Sequence, residues 1–188
     1  MRLKLSTAIV LLIVLFSCDN PKTKTANISV MEKQLNLDSL LSSDDSEEII
    51  LAIDDHIHAL LTTDEAFDRL TQPQKNFYYI QELEREVNNG GFNQYFYNSS
   101  GDYAHETILA LEAIGAENAR TILAAAVNEF PDHLVPKDRD ERQEALAKIE
   151  SKAQESWDKL DSEFYTYPDD LDALNIEYVK RNRKDFER

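Results

Sequence analysis

From residue 46 onward, apolar residues recur at intervals of three and four, and no long alternating run of β-branched residues interrupts them. A chain patterned this way packs helix against helix. DSEEIILAIDDHIHALL puts Ile49, Ile50, Ile53, Ile57, Leu60 and Leu61 on one face. Asp45 stands where a cap belongs, with Glu48 three residues on as in a capping box. A short helix is expected over residues 64–70. Pro73 suits the first turn of the next helix, which turns Phe77, Ile80, Leu83 and Val87 inward and leaves Glu84 out. YAHETILALEAI is a further helix, closed by Gly115, and ENARTILAAAVNEF another, closed by Pro131. A longer one runs from about Arg139 to Phe164, with Leu146, Ile149, Ala153, Trp157, Leu160 and Phe164 at near-regular spacing. After Pro168 comes a last helix, DDLDALNIEYVKRN, acidic at its start and basic at its end as the helix dipole prefers. The expected fold is all-α: a single compact multi-helix domain of about seven or eight helices over residues 46–188.

The start of the chain reads differently. Arg2 and Lys4 precede a 12-residue apolar run, Leu5 to Phe16, broken only by Ser6 and Thr7. A transmembrane helix needs about 20 apolar residues, so the run fits a secretory h-region. LFSC, Leu15 to Cys18, resembles a lipobox, and Cys18 is the only cysteine of the chain. Residues 1–17 are therefore read as a lipoprotein signal peptide and Cys18 as the lipidation site. The expected location is the bacterial cell envelope, anchored to a membrane through the lipid on Cys18. An ordinary signal peptide with a chance cysteine is the alternative. A lipidated Cys18 leaves no thiol for a disulfide, so the core alone must hold the fold. Residues 18–45 lack helical periodicity and read as a tether whose Leu35, Leu37, Leu40 and Leu41 can dock on the body.

The net charge is −16, unevenly spread: residues 38–70 hold ten acids and one base, Arg69, whereas residues 137–188 hold 15 acids and 11 bases. So acidic a body is a poor partner for nucleic acid or anionic lipid and a good one for a basic protein surface or a cation. The alternative is a solvated acidic face that keeps the protein soluble. The candidate partner-binding carboxylates are Asp44, Asp45, Glu47, Glu48, Asp54 and Asp55.

EVNNGGFNQYFYNSSGDY, residues 86–103, interrupts the helical pattern with two adjacent glycines, four asparagines and three tyrosines. Gly90 and Gly91 are expected to turn the chain at positive φ, where only glycine avoids a steric cost. Phe92, Phe96 and Tyr103 are then core, and Asn89 and Asn93 satisfy the backbone groups of the corner. The other reading is a binding surface of rigid rings and adaptable polar groups, with Tyr95 and Tyr97 as its candidates.

Continued to Leu123, this stretch resembles the signature of a bacterial family named after DNA-mimic protein 19. The matching positions are Asn88, Asn89, Gly90, Gly91 and Phe92, then Gln94 to Phe96, Asn98, Gly101 and Asp102, and Ala110 to Ala116 with Gly115 among them. The resemblance implies an all-α fold, a dimer, and an acidic surface that imitates DNA phosphates to occupy a transcription regulator. It assigns no mimic residues, because the signature block is not itself acidic. The export signal also directs this chain away from cytoplasmic DNA-binding proteins.

No pattern of a catalyst emerges. His56 and His58 point about 200° apart on a helix and cannot share a metal, since zinc pairs on helices prefer i, i+4. His105 lacks a second histidine at that spacing, and His133 has only Asp132 beside it. There is no nucleophile elbow, phosphate loop or calcium loop. The expectation is a binding protein with no enzymatic activity, metal or cofactor. Its expected partner is a protein with a basic surface. The alternatives are a true DNA mimic, or a binder of a small ligand or envelope polymer that uses residues 93–103.

Overall fold

The computed structural model describes residues 35–63 and 65–187. The signal segment, Cys18 and most of the proposed tether lie outside them. The described residues form nine α-helices, two short 3-10 turns and no strand, so the fold is all-α. In order the helices are α1 Leu37–Leu40, α2 Ser46–Leu60, α3 Ala66–Arg69, α4 Gln72–Tyr97, α5 Ala104–Ile114, α6 Glu117–Val127, α7 Arg139–Phe164, α8 Leu171–Arg181 and α9 Arg183–Phe186. The 3-10 turns are Ser99–Tyr103 and Pro131–His133. Single-turn helices α1 and α9 are additions to the expected set. The two segments on either side of Gly90–Gly91 are joined as α4 across a kink.

Local chemistry sets the ends. Asp45, Asp138 and Asp170 accept from the amides of Glu48, Glu141 and Ala173, capping α2, α7 and α8. The expected capping box at α2 is half made, because the Glu48 carboxylate accepts from the Ser43 hydroxyl instead. A complete box forms at α4, where Thr71 and Gln74 exchange side-chain and backbone bonds. Gly115 ends α5 at φ 88°, with its amide donating to Glu112 and that of Ala116 to Leu111. That pairing needs a left-handed residue.

Helix α4 is the spine. Its Leu83, Val87, Phe92 and Phe96 join Leu111 of α5, Leu123 of α6, and Leu146 and Trp157 of α7 in the larger apolar cluster. The Trp157 indole donates to the Ala126 carbonyl at 3.1 Å. Phe77 of α4 enters a second cluster with Ile53 and Ile57 of α2, Ile176 and Val179 of α8, and Phe186 of α9. Leu37 is buried in that cluster, and Leu35, Leu40 and Leu41 pack on it. The folded body therefore takes in residues 35–41, part of the stretch read as tether. Burying apolar surface gains about 25 cal/mol per Å², which favours docking those leucines over leaving them in water.

Candidate functional site

The acidic candidates fall on the solvent side of α2 and its cap. Asp44, Asp45, Glu47, Glu48 and Asp55 are exposed, and none of them enters an ion pair among the described residues. Glu47, Leu51 and Asp55 follow one another at i, i+4 and i+8, which places them on one stripe of the helix. Leu51 is 54% exposed at the middle of that stripe. Asp54 is different. It is half-buried, its Oδ2 accepts from Arg85 at 2.7 Å, and its Oδ1 lies 3.4 Å from His58. Arg85 also pairs with Glu82. Asp54 is thus committed to holding α2 against α4 and is not available to a partner.

The glycine corner is sharp. The Glu86 carboxylate accepts from both Gln94 and Asn98, at 2.7 and 2.8 Å. In a straight helix those residues would stand about 12 and 18 Å further along the axis. The positive φ falls on Gly91 alone, at 71° with ψ −174°, a region that is essentially reserved for glycine. Gly90, at φ −162°, is extended, which corrects the expectation for that residue. The amide freed by the break belongs to Phe92, and it donates to Asp161 Oδ1 of α7 at 2.8 Å. The Tyr165 hydroxyl donates to the Val87 carbonyl. Residues of α7 and its end therefore satisfy the corner, and Asn93 instead donates to Glu150. A Cβ on Gly91 would stand 2.2 Å from Asp161 Oδ2. Asn88, at the same corner, donates to the Tyr167 hydroxyl.

The second half of the signature wraps a buried arginine. Arg142 of α7 is fully buried. Its Nε donates to the Phe96 carbonyl at 2.7 Å, and Nη1 donates to the carbonyls of Pro136 and Lys137. Nη2 donates to the Asn98 carbonyl and, at 2.5 Å, to Asp102. A Cβ on Gly101 would lie 2.8 Å from Arg142 Nε and 2.9 Å from the Phe96 carbonyl. Gly101 and Asp102 are thus read as the floor and counter-ion of an arginine socket. Arg142 escapes notice in RDERQEAL because its neighbours are solvent charges. Yet the buried series of α7, continued back four residues from Leu146, lands on it.

Tyr95 needs correction. It is completely buried and its hydroxyl donates to Thr107 at 3.0 Å, so it cannot touch a partner. Tyr95 stands three residues after Phe92 and beside Phe96, on the face of that turn that packs inward against α5, while Asn93 and Gln94 stay part-exposed. Tyr97 is 51% exposed.

Two other groups are notable for charge. Burial, with Asp172 and Asp170 nearby, pushes the half-buried Glu84 carboxyl up to about 7. Burial likewise raises Asp161 and Asp172 above the usual carboxylate range. Two of the histidines serve local structure: His58 rests 5.6 Å from the Tyr78 ring, and His105 Nε2 accepts from the Val135 amide. No group of three or more metal-ligating side chains occurs among the described residues.

An open groove lies where α2 ends, between α3, α4 and the Ser99–Tyr103 turn. Thr62, Thr63, Phe67, Tyr78, Asp102 and Tyr103 are among its lining, and its volume is about 340 Å³. Phe67 stacks on Tyr103 at 5.0 Å between centroids, and Tyr78 meets Phe67 edge-on at 5.4 Å.

An all-α body with an acidic helix face and a glycine corner locked to α7 defines a class of helical protein built around the 86–102 signature. A family model described as DMP19-like protein matches residues 68–182, and the chain belongs to that family. The matched span runs from α3 to the end of α8 and contains the corner and the arginine socket; the acidic face of α2 precedes it. No curated protein and no solved structure matches the chain.

Proposed function

We propose that this chain is an exported, lipid-anchored binding module that captures a basic surface on another protein and performs no catalysis. The observation that carries the reading is the face of α2. No lysine or arginine occurs between residues 35 and 68. The two arginines that approach from elsewhere go to Asp54 and Asp38. Asp44, Asp45, Glu47, Glu48 and Asp55 remain as uncompensated charge around an exposed Leu51. Such a surface attracts a basic partner over about a Debye length and offers it one apolar contact. Membership of the DMP19-like family agrees with protein binding. Because the array lies outside the matched span, the partner follows from this chain's own residues. Anchoring rests on the lipobox at Cys18.

The test changes Asp44 and Asp45 to Asn and Glu47 and Glu48 to Gln, and follows a partner cross-linked from intact cells. The variant should lose that partner, and the native contact should weaken steeply as salt rises. Undiminished capture by the variant rejects the acidic-face reading. Competition by duplex DNA for the same partner would identify it as a DNA-binding protein and make mimicry the better account. Cell fractionation of Cys18→Ala checks the anchor: the variant should leave the membrane.

A further inference from the structure

We infer that the groove at the end of α2 is a receptor for a cationic side chain, an arginine above all, presented by the basic partner; this rests on the functional reading above and names how that partner is gripped. Among the described residues, three aromatic rings line the groove, together with the Asp102 carboxylate and the hydroxyls of Thr62 and Thr63, and no lysine, arginine or histidine does. An anion would meet no positive charge in that lining, and a purely apolar group would strand Asp102 and the hydroxyls. A cation is favoured by both features, since ring faces attract positive charge and a carboxylate pairs with it. Lys75, 5.3 Å from the centre of the Phe67 ring, already uses this attraction from the protein's own side.

Three bases near the groove are paired with carboxylates of the protein. Lys137 pairs with Glu106, Arg85 with Glu82 and Asp54, and Arg142 is buried beneath Asp102. Asp102 gives one oxygen to Arg142 and keeps a third of its side chain exposed. Burial raises the Tyr78 phenol to about 12, so the ring carries no competing charge at neutral pH. The C-cap of α2, Leu61, lines the groove as well, and helix C-termini favour cations. A planar guanidinium stacks on a ring while its edge donates to a carboxylate, which an ammonium cannot do as well.

Position argues for a protein-borne cation. Helix α2 has 15 residues and spans about 22 Å. Its first two-thirds carry the acidic stripe, and the residues that follow its end line the groove. A partner lying along α2 spans both, with the stripe supplying attraction and the groove supplying orientation.

The probes are three capped tripeptides, acetyl-Gly-X-Gly-amide with X arginine, lysine or citrulline, the last a neutral isostere of arginine. Each is titrated into the isotope-labelled full chain and followed by amide chemical shifts. The arginine peptide should shift Thr62, Thr63, Phe67 and Tyr103 saturably and more tightly than the lysine peptide, and citrulline should not bind. Thr63→Lys, at an exposed position, should weaken the arginine peptide about tenfold, as should Tyr78→Leu, the size expected for losing one cation–π contact. The four-residue α2 variant should leave these shifts in place. Shifts spread evenly over the acidic surface, equal binding of citrulline, or full binding to both groove variants would overturn the inference. If the peptide binds in the groove while the α2 variant still captures the whole partner, the groove stands and the α2 reading falls. If the α2 variant loses the partner and the peptide ignores the groove, the reverse holds.

Discussion

Arg142 and Asp102 form a 2.5 Å pair in which the guanidinium is wholly buried and the carboxylate is one-third exposed. Four of the five guanidinium donors act on backbone carbonyls of the 96–98 and 136–137 segments, and the fifth serves Asp102. One side chain thereby ties the signature turn to the loop that leads into α7. Arg142→Met should destabilise the protein by about 3–5 kcal/mol, because it leaves those carbonyls and Asp102 without their donor. Arg142→Lys should recover only part of the loss, since an ammonium lacks the planar fork. Urea denaturation measures both; a loss below about 1 kcal/mol for Arg142→Met, the size of a surface change, would refute the socket.

Gly91 and Gly90 should respond unequally. Alanine at 91 meets a backbone region that excludes side chains and a carboxylate oxygen 2.2 Å away. The expected loss is about 3 kcal/mol or more. Valine at 90 keeps an extended φ, and its nearest neighbours are atoms of the Gln94 side chain, the Cβ at 2.9 Å included, so that side chain must shift for a cost of about 1–2 kcal/mol. Equal thermal shifts for the two variants would contradict this difference.

Stability should fall as pH rises from about 4.5 to 7. The Glu84 carboxyl sits near 4.5 when unfolded and near 7 when folded, so the folded state binds more protons in that interval. A group that holds its proton more tightly in the folded protein stabilises it at low pH and loses that contribution as pH climbs through the folded value. Asp161 and Asp172 shift in the same direction. Glu84→Gln should flatten the profile and be the more stable protein at pH 8, by roughly 1 kcal/mol after allowance for solvent screening. Thermal melts of both proteins across this range provide the measurement.

Tyr95→Phe separates a core role from a surface one. It removes a buried hydroxyl bond to Thr107 worth about 1 kcal/mol, and partner capture should be unchanged. A loss of binding without a loss of stability would restore Tyr95 as a contact residue.

Much of this was readable from spacing, and the failures are physical. Helix α7 spans Arg139–Phe164 as its apolar series indicates, because every buried position on it but one is apolar and Asp138 marks its start. The exception, Arg142, occupies a core position with a charged side chain, and only the carbonyls that solvate it explain its presence. Two of those carbonyls, of Phe96 and Asn98, lie over 40 residues away in the chain and are invisible to periodicity. Tyr95 is a different case: it stands at i+3 from Phe92, on the inward face, and the wet face of that turn belongs to Asn93, Gln94 and Tyr97, so helical spacing itself separates Tyr95 from Tyr97. The acidic face of α2 could be read directly, except for Asp54, whose partner Arg85 comes from another helix.

Trp157 is the only tryptophan of the chain, and it is buried against Phe96 and Phe130 in the larger cluster. Its indole is therefore a built-in optical reporter: blue-shifted emission while that cluster is closed, red-shifted once water reaches it. It is silent about the second cluster, where Phe77 meets Phe186. Far-ultraviolet circular dichroism sees helices in both. Coincident transitions would show that α4 makes the two clusters melt as one; an early loss of helix at constant emission would show α1, α2 and α9 peeling away first, carrying the acidic face with them.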